Sequence, residues 1–306
     1  MAPESVQPKI AVVIAVSNGL PHIVEAVESA LRQGPIVERV VVVDDRSTDD
    51  TWEAMAGIPD PRLELMKSPR EGVSAARNAG AQRTDAPWLL FLDADDRLTE
   101  GAVEALAAEI RRGVSLVYGD YERIDEQGRT VGKRGWIRNL RSKPSGEILE
   151  PLLGGNFIIN GGVLICEREA FLKVGGFPAQ LSLCEDWHLW CQLATVGEAR
   201  YLPRRVMEYR VHAQSVMMRK PREYEDFAPA LQAIFSDRRI RASVPSDLLE
   251  RLRRRGESSL MVYCAQQALR ARKYGIALPM AIRAFRHHPS RGPWLIGRLV
   301  GAWSVL

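Results

Sequence analysis

Long hydrophobic runs are absent from this sequence of 306 residues. No stretch reaches the roughly 18 to 20 apolar residues that a spanning helix needs, so we predict no transmembrane segment. The first residues also lack the basic and then apolar order of a secretory signal, which makes the cytoplasm the expected compartment. With 46% hydrophobic and 26% charged residues, the chain has the composition of a folded globular protein.

Cysteine is scarce, with four residues in the chain and no paired framework. This excludes a small disulfide-stapled fold and is typical of reduced thiols in a reducing compartment. On a helix, Cys184, His188 and Cys191 would share one face and could bind zinc. The alternative is that the cysteines are small buried hydrophobic residues, since no fourth ligand is evident.

Charge is unevenly distributed. Residues 238–306 contain 14 Lys and Arg against three Asp and Glu, a net charge of +11 within a chain whose total is +4. An apolar stripe lies in this basic region and is interleaved with arginines: Trp294, Leu295, Ile296, Leu299, Val300, Trp303 and Leu306. We predict peripheral contact with the inner face of a membrane. The alternative is that the stripe packs against the protein's own helices or against a second copy.

Alternating strand and helix patterns fill the first 118 residues. Apolar runs typical of buried strands occur at residues 9–16, 37–43, 63–66, 88–92 and 114–118. Helical patterns separate most of them, including residues 72–83 and 99–112. This alternation predicts an α/β fold with a mostly parallel sheet and helices on both faces. Ligands of such sheets bind at the carboxyl ends of the strands.

The second half of the chain is less regular. Residues 119–160 are rich in Gly and Arg and predict an irregular segment. Helices are then expected near residues 168–174 and 186–195, and short strands near 199–202 and 206–210. Beyond residue 221 the pattern is helical to the end.

An acidic motif follows the run at residues 88–92 and contains Asp93, Asp95 and Asp96. Two carboxylates one residue apart at a strand end can share a divalent cation, and Mg²⁺ or Mn²⁺ would also bind substrate phosphate oxygens. The alternative is an acidic turn that caps the next helix.

A second acidic pair, Asp44 and Asp45, follows the run at residues 37–43. A carboxylate there can accept hydrogen bonds from a nucleobase or a ribose. Two acidic clusters could also form the metal pocket of a phospho-accepting receiver domain. That class of protein needs a lysine at a later strand end, and none is evident.

Basic and acidic residues elsewhere extend this set. Arg77 could bind a phosphate bidentately, or belong to a tightly packed surface helix. Glu185 and Asp186 stand at a predicted helix start, where a carboxylate could act as general base or stabilise the helix dipole. Arg210 could neutralise phosphate charge and His212 could bind a metal, although a lone histidine after a strand is often structural.

In this order and spacing, the motifs closely resemble glycosyltransferase family 2. The resemblance covers about residues 9–217. It implies the GT-A fold, a Rossmann-like α/β domain at residues 1–217 with a nucleotide-binding half at about 9–118 and an acceptor half at about 119–217. Residues 218–306 would then form a helical, basic C-terminal region.

The resemblance also implies a role for each matching residue. The nucleotide would contact Val16, Asn18, Asp44, Asp45, Arg77, Asp93, Asp95 and Arg210, with Asp45 as the nucleobase-binding acid. Asp93 and Asp95 would be the DxD pair, with Asp96 in support, and His212 would join Asp95 and Asp93 at the metal. Asp186 would be the catalytic base and Glu185 its neighbour. Ser17 and Arg46 depart from the family pattern, which commonly has an aromatic residue and a glycine there.

The implied reaction is inverting transfer of a sugar from a nucleotide-diphosphate donor, most simply a UDP-sugar, to an acceptor hydroxyl with Mn²⁺ or Mg²⁺. The acceptor would be a glycan or a lipid-linked molecule in polysaccharide or cell-surface glycan biosynthesis, and we expect no nucleic-acid partner. One alternative is a sugar nucleotidyltransferase, although residues 17–20 lack the basic loop it requires. Another is an inactive glycosyltransferase-like scaffold subunit. The sequence leaves the oligomeric state open.

Overall fold

A computed structural model of the protein describes residues 8–131, 143–212, 222–293 and 296–297. The strands are β1 (Ile10–Val16), β2 (Val37–Asp44), β3 (Leu63–Lys67), β4 (Trp88–Asp93), β5 (Arg97–Leu98), β6 (Val114–Ile124), β7 (Leu164–Glu167) and β8 (Glu198–Arg210). The helices are α1 (Ile23–Leu31), α2 (Thr51–Ala56), α3 (Val73–Gln82), α4 (Ala102–Ala107), α5 (Leu149–Leu153), α6 (Arg168–Val174), α7 (Glu185–Leu193), α8 (Tyr224–Ser236), α9 (Arg238–Ser243), α10 (Ser246–Arg270) and α11 (Tyr274–His287).

All eight strands form one sheet in the order β3-β2-β1-β4-β7-β6-β8-β5. The first four strands in this order are parallel to one another, as their continuous apolar sequences predict. Strand β7 is antiparallel to both β4 and β6, whereas β6 and β8 are parallel and β5 is antiparallel to β8. The predicted α/β class is confirmed, with a parallel half and a mixed half.

The second half of the chain is more regular than its composition predicts. Strand β6 continues to Ile124, and β8 is one strand where we expected two. A Cβ on Gly119 would lie 2.9 Å from the Arg204 carbonyl oxygen, so this glycine permits close approach of β6 and β8. Pro203 falls where the register between these strands shifts, which lets β8 pass through a proline without ending.

Three elements of secondary structure were not predicted from the sequence, and one predicted helix is shorter than expected. Helices α2 and α5 and strand β5 are only two to six residues long, too short for a period to emerge from the sequence. Helix α4 covers Ala102–Ala107, about half of the helix predicted at residues 99–112.

The C-terminal helices pack onto the α/β domain. Leu231, Ile240 and Leu252 belong to the same hydrophobic core as the sheet, and α11 packs on α10. The predicted boundary at residue 217 lies outside the described residues, as does the predicted C-terminal stripe except for Ile296, which is 61% exposed. None of the described helices is both long enough and apolar enough to cross a membrane.

Candidate active site

Three predicted site residues lie at one edge of the sheet because of strand order. Strand β1 lies between β2 and β4, and Val16 pairs with Asp44 while Ala15 pairs with Asp93. The carboxyl ends of these parallel strands therefore place Val16, Asp44 and Asp93 side by side, at the edge where such sheets bind ligands.

The loops after β1 and β2 are joined by hydrogen bonds. The Asn18 Oδ1 accepts a bond of 2.8 Å from the Thr48 backbone N–H, and the Asn18 N–H donates to the Ser47 Oγ at 2.9 Å. Asn18 has a φ of 54°, in the left-handed region that asparagine tolerates better than most residues. Asn18 is thereby oriented beside the Asp44–Asp45 turn.

Asp44 and Asp45 have different surroundings. Asp44 is 1% exposed and accepts a 2.6 Å bond from the Lys67 Nζ, which lies 4.2 Å from the centre of the Trp52 ring. Burial alone would raise the pKa of Asp44, but the bonds from Lys67 and Ser47 outweigh it and the pKa is lowered. Asp44 is therefore a charged structural anchor in this state.

Asp45 lies nearer the solvent, with its side chain 12% exposed. It accepts a 2.7 Å bond from the Gly72 N–H and a 3.0 Å bond from the Arg46 Nη1. Arg46 has a φ of 59°, which explains why a glycine would suit this position, and its guanidinium covers the predicted nucleobase-binding acid.

Asp93, Asp95 and Asp96 form a compact acidic cluster, with a carboxylate oxygen of each within 4.8 Å of the others. Asn160 supports two of them, because its Nδ2 donates to the Asp93 Oδ2 at 2.9 Å and to the Asp96 Oδ2 at 2.8 Å. Asp96 is 1% exposed and also accepts a bond from the Arg210 backbone N–H. The Asp96 carboxylate is therefore buried and bonded to other groups of the protein.

The cluster carries concentrated negative charge. Burial, followed by the charge of Asp93, raises the pKa of Asp95, and burial with the charges of Asp95 and Asp93 raises the pKa of Asp96 well above its usual value. Asp95 is the more open of the two, with a side chain 35% exposed and its Oδ2 2.9 Å from the His212 Nε2. This set of carboxylate oxygens and an imidazole fits a divalent cation, which would relieve the repulsion.

Arg210 lies inside the protein at 2% exposure. Its Nε donates to the Asp95 carbonyl oxygen at 2.8 Å, its Nη1 donates to the carbonyl oxygens of Asp125 and Glu126, and its Nη2 donates to Glu25. Every guanidinium nitrogen is therefore bonded to a protein oxygen. Arg210 positions the acidic loop here, and the predicted phosphate contact would require some of these bonds to open.

Arg77 connects the acidic cluster to the start of α7. Its Nη2 lies 2.6 Å from the Asp93 Oδ1 and its Nη1 lies 2.9 Å from the Glu185 Oε1. The guanidinium also stacks on Phe177, 5.0 Å from the ring centre. The sequence suggested a phosphate contact for Arg77. In the structure, its guanidinium joins two carboxylates from distant parts of the chain.

Asp186 stands beside Glu185 in the first turn of α7. Its Oδ1 accepts a 2.6 Å bond from the Trp187 N–H. Burial, then the charge of Glu185, raises the pKa of Asp186 to about 8. A carboxyl group with this pKa is ionised mainly above about pH 8, where it can act as a general base.

Three residues near the site were missed by sequence reasoning. Asn160 preceded two glycines and resembled an ordinary turn, Lys67 ended a short strand 23 residues after Asp44, and His22 lay in a loop. The His22 ring lies 5.7 Å from that of His212. Only the fold brings these side chains to the site.

The zinc alternative finds no support in the described part of the chain. There, the three aspartates are the group of acidic, histidine or cysteine ligands close enough to hold a metal, and Cys184, His188 and Cys191 form no such group. His188 instead faces Asp237, with its Nε2 3.5 Å from the Asp237 Oδ2.

An acidic cluster at the strand ends of an α/β sheet, with a carboxyl group of raised pKa close by, is typical of the active sites of α/β enzymes. Residues 11–174 match the sequence model of Glycosyl transferase family 2. The protein therefore belongs to this family, as its motifs predicted, and is a glycosyltransferase by family.

Solved structures confirm the GT-A fold. Staphylococcus aureus TarS 1–349 in complex with UDP-GlcNAc superposes with a TM-score of 0.66 at 15% identity, over 96% of this chain and 89% of that one. The mannosyltransferase PcManGT from Pyrobaculum calidifontis, in complex with GDP-Man and Mn²⁺, gives a TM-score of 0.60 at 20% identity, over 97% and 86% of the two chains. At these identities the likeness shows the fold alone.

Curated relatives are similar over parts of their length. The succinoglycan biosynthesis protein ExoO of Rhizobium meliloti is 44% identical over 90 residues, which cover 29% of this chain and 26% of that protein. The chondroitin synthase of Escherichia coli is 26% identical over 218 residues, which cover 70% of this chain and 30% of that protein. The matches span about a quarter to a third of these relatives.

Proposed function

We propose that the protein is an inverting, metal-dependent glycosyltransferase that moves a sugar from a UDP-sugar to an acceptor hydroxyl. The TarS structure, which has a similar fold, holds UDP-GlcNAc, and the edge of this sheet carries carboxylates at the ends of β2 and β4. Val16, Asn18 and Asp45 would line the nucleoside, and Asp93 would contact the ribose.

The observation that carries the proposal is the double ion pair of Arg77. One guanidinium joins Asp93 of the acidic cluster to Glu185, which is adjacent to Asp186. The proposed base is thereby next to the proposed metal and diphosphate site. Positioning of this kind is what a displacement between a bound donor and a bound acceptor requires.

Asp95 and His212, with Asp93 beside them, would hold Mn²⁺ or Mg²⁺. When bound, the cation would neutralise the charge that develops on the leaving diphosphate. Asn160 already donates hydrogen bonds to Asp93 and Asp96. Asp95 has no such bond from Asn160 and has the most exposed side chain of the three, so it is the best placed to gain a ligand.

Asp186 would remove the proton from the acceptor hydroxyl. The acceptor oxygen then forms a bond to the anomeric carbon as the bond from that carbon to the diphosphate oxygen breaks, and one displacement inverts the configuration. Glu185 is held by Arg77, which leaves Asp186 as the carboxylate of the pair that can accept a proton. No protein nucleophile takes part.

The acceptor proposed is a glycan or a lipid-linked molecule. The relatives' names, succinoglycan biosynthesis protein and chondroitin synthase, support a role in polysaccharide or cell-surface glycan biosynthesis. All four cysteines are free, which fits the reducing cytoplasm that we propose as the compartment.

Calorimetric titration of UDP with and without Mn²⁺ tests the donor and metal together, with GDP as the competing nucleotide. We expect tight UDP binding only with Mn²⁺, and loss of the Mn²⁺ effect in Asp95→Ala. Asp85→Ala is the matched control, because Asp85 is fully exposed and precedes β4 at its opposite end. Equal affinity in EDTA would refute the metal role, and a preference for GDP would refute the donor.

Transfer itself is tested with a panel of UDP-sugars and oligosaccharide or lipid-linked acceptors. Turnover that needs both substrates and produces the inverted anomer is the expected result. Tight donor binding without hydrolysis or transfer on any acceptor would instead favour the scaffold alternative.

A further inference from the structure

Helix α11 has two apolar faces, of which one is buried. Ala277, Met280 and Ala284 are buried, and the last two belong to the cluster that joins α11 to α10. A second set, the α11 stripe, is 45% to 65% exposed and consists of Tyr274, Leu278, Ile282 and Phe285. Spacings of four, four and three residues align this set along one side of the helix for about 16 Å.

The chain around the α11 stripe is basic. From residue 258 to the end it contains seven Lys and Arg and no Asp or Glu. Arg272, Lys273 and Arg286 are exposed, and none of the three pairs with an acidic side chain in the described residues. Arg286 follows Ile282 by one helical turn and therefore borders the stripe.

This combination of apolar and basic groups selects the partner. Soluble monomers rarely expose a contiguous row of large apolar side chains, so we expect the α11 stripe to contact a binding partner. A second copy would place two strongly cationic surfaces against each other, and their repulsion opposes pairing. A lipid surface of negative charge satisfies both requirements, because it accepts apolar side chains and attracts arginine and lysine.

We propose that the α11 stripe docks the protein on an anionic membrane surface. The four apolar side chains enter the interfacial layer, while Arg272, Lys273 and Arg286 contact lipid phosphates. The stripe consists wholly of described residues, and it lies N-terminal to the tryptophan-bearing segment that the sequence first suggested.

The position of α11 relates docking to the active site. The cluster beneath α11 includes Phe227 of α8 and contacts Leu183 and Cys184, which directly precede Glu185 and Asp186. The docking surface is therefore one helical layer from the proposed base. If the proposed function holds, this arrangement favours an acceptor carried by the same membrane.

Vesicle co-sedimentation without any nucleotide tests the docking. The full-length protein should pellet with vesicles that contain phosphatidylglycerol, should pellet less at high salt, and should stay in solution with pure phosphatidylcholine. Leu278→Glu with Ile282→Glu should lower the partition coefficient at least about tenfold, since apolar burial is lost and charge repulsion is added. Leu172→Glu is the matched control, because Leu172 is 44% exposed on α6 and should leave binding unchanged.

A second variant tests charge alone at three exposed positions. Arg272→Gln, Lys273→Gln and Arg286→Gln together should weaken binding about 100-fold, because each basic residue at such a surface contributes about a factor of five.

The proposal is overturned if the wild-type protein does not pellet with anionic vesicles, or if both variants bind like wild type. It is also overturned if the stripe variants abolish a dimer seen by analytical ultracentrifugation and leave vesicle binding intact. Because no donor or acceptor is present, failure of the transferase proposal would not alter the outcome.

Discussion

The two halves of the sheet contribute to the site in different ways. In the parallel half, formed by β3, β2, β1 and β4, the last three strands are largely buried, and the carboxyl ends of β2 and β4 carry Asp44 and Asp93 into the site. In the mixed half, the site residues come from a turn, a helix start and the end of β8. Topology alone positions the first set, whereas the second set depends on side-chain bonds.

Several bonds cross between the halves, and three of them connect the proposed metal and base residues. They join Asn160 to Asp93, Glu185 to Arg77, and His212 to Asp95. The parallel half therefore supplies the carboxylates, and the mixed half determines their spacing and supplies the proposed base. Changes on each side of this junction should have different consequences.

The largest effect is expected for Asp186→Asn, in the mixed half. Turnover should fall by about 10² to 10⁴ because the proposed proton acceptor is lost. Donor affinity should change little, because Asp186 acts on the acceptor. Turnover measured under saturating donor, with calorimetry of UDP binding, separates the two effects.

Glu185→Gln is the control for that variant, since it weakens the ion pair with Arg77 and keeps Asp186. A smaller loss of turnover is expected. Near wild-type turnover in Asp186→Asn, together with an inactive Glu185→Gln, would assign the base to Glu185.

Asn160→Ala removes one of the side-chain bonds that connect the two halves. Asp93 and Asp96 would lose their shared donor, so their carboxylates should move apart and Mn²⁺ affinity should fall about 10- to 100-fold. Titration with Mn²⁺ monitored by electron paramagnetic resonance measures this directly. Asn156→Ala is the control, because Asn156 is exposed and bonds only locally to the Ile158 N–H. Unchanged Mn²⁺ affinity would show that the two halves are not coupled through Asn160.

Gly80→Ala tests the packing of the parallel half. A Cβ at Gly80 would lie 2.4 Å from the Val13 Cγ1 and 3.1 Å from the Val43 Cγ2, so α3 would be forced away from β1 and β2. We expect a loss of about 1 to 3 kcal/mol in the free energy of unfolding, measured by urea denaturation. Gly57→Ala should be nearly neutral, since its nearest neighbouring atom would be 3.7 Å away. Equal stability of the two variants would contradict this account.

A pH dependence is also expected, and it belongs to the mixed half. Because burial and Glu185 raise the pKa of Asp186 to about 8, the group is mostly protonated below that pH and cannot accept a proton. kcat/KM should therefore rise about tenfold per pH unit up to about pH 8 and then level off. A flat profile between pH 6 and 9 would mean that Asp186 is already ionised in the free enzyme, or that it is not the base.

Much of the parallel half was predictable because its signals are local. Strands buried on both faces appear as continuous runs of Val, Ile and Leu, and the polar residue that ends such a run lies at the ligand-binding edge. Asp45, Asp93 and Asp95 were singled out as candidates in this way. The family resemblance added Asp186 and His212, whose local sequences alone also allowed structural roles.

The partners of these residues were not predictable. Arg77 and Arg210 suggested phosphate contacts from their charge, yet they bond to protein oxygens that are up to 185 residues away in sequence. Asn160 resembled a turn, and residues 119–160 resembled a loop because they are rich in Gly and Arg. In the fold, Gly119 permits close contact between β6 and β8, and Pro203 occupies a register shift between these strands.

The sequence by itself determined the class of fold, the order of its strands and helices in the first half, the family, and the carboxylates at the strand ends. These follow from periodicity and from short motifs, which depend on neighbouring residues. Only the tertiary structure decided that the Asn160 amide spaces the acidic cluster and that the Arg77 guanidinium joins this cluster to the start of α7. It also decided which face of α11 stays exposed. These contacts depend on which parts of the chain pack together. A buried polar group must form hydrogen bonds with whatever partners the fold brings close to it.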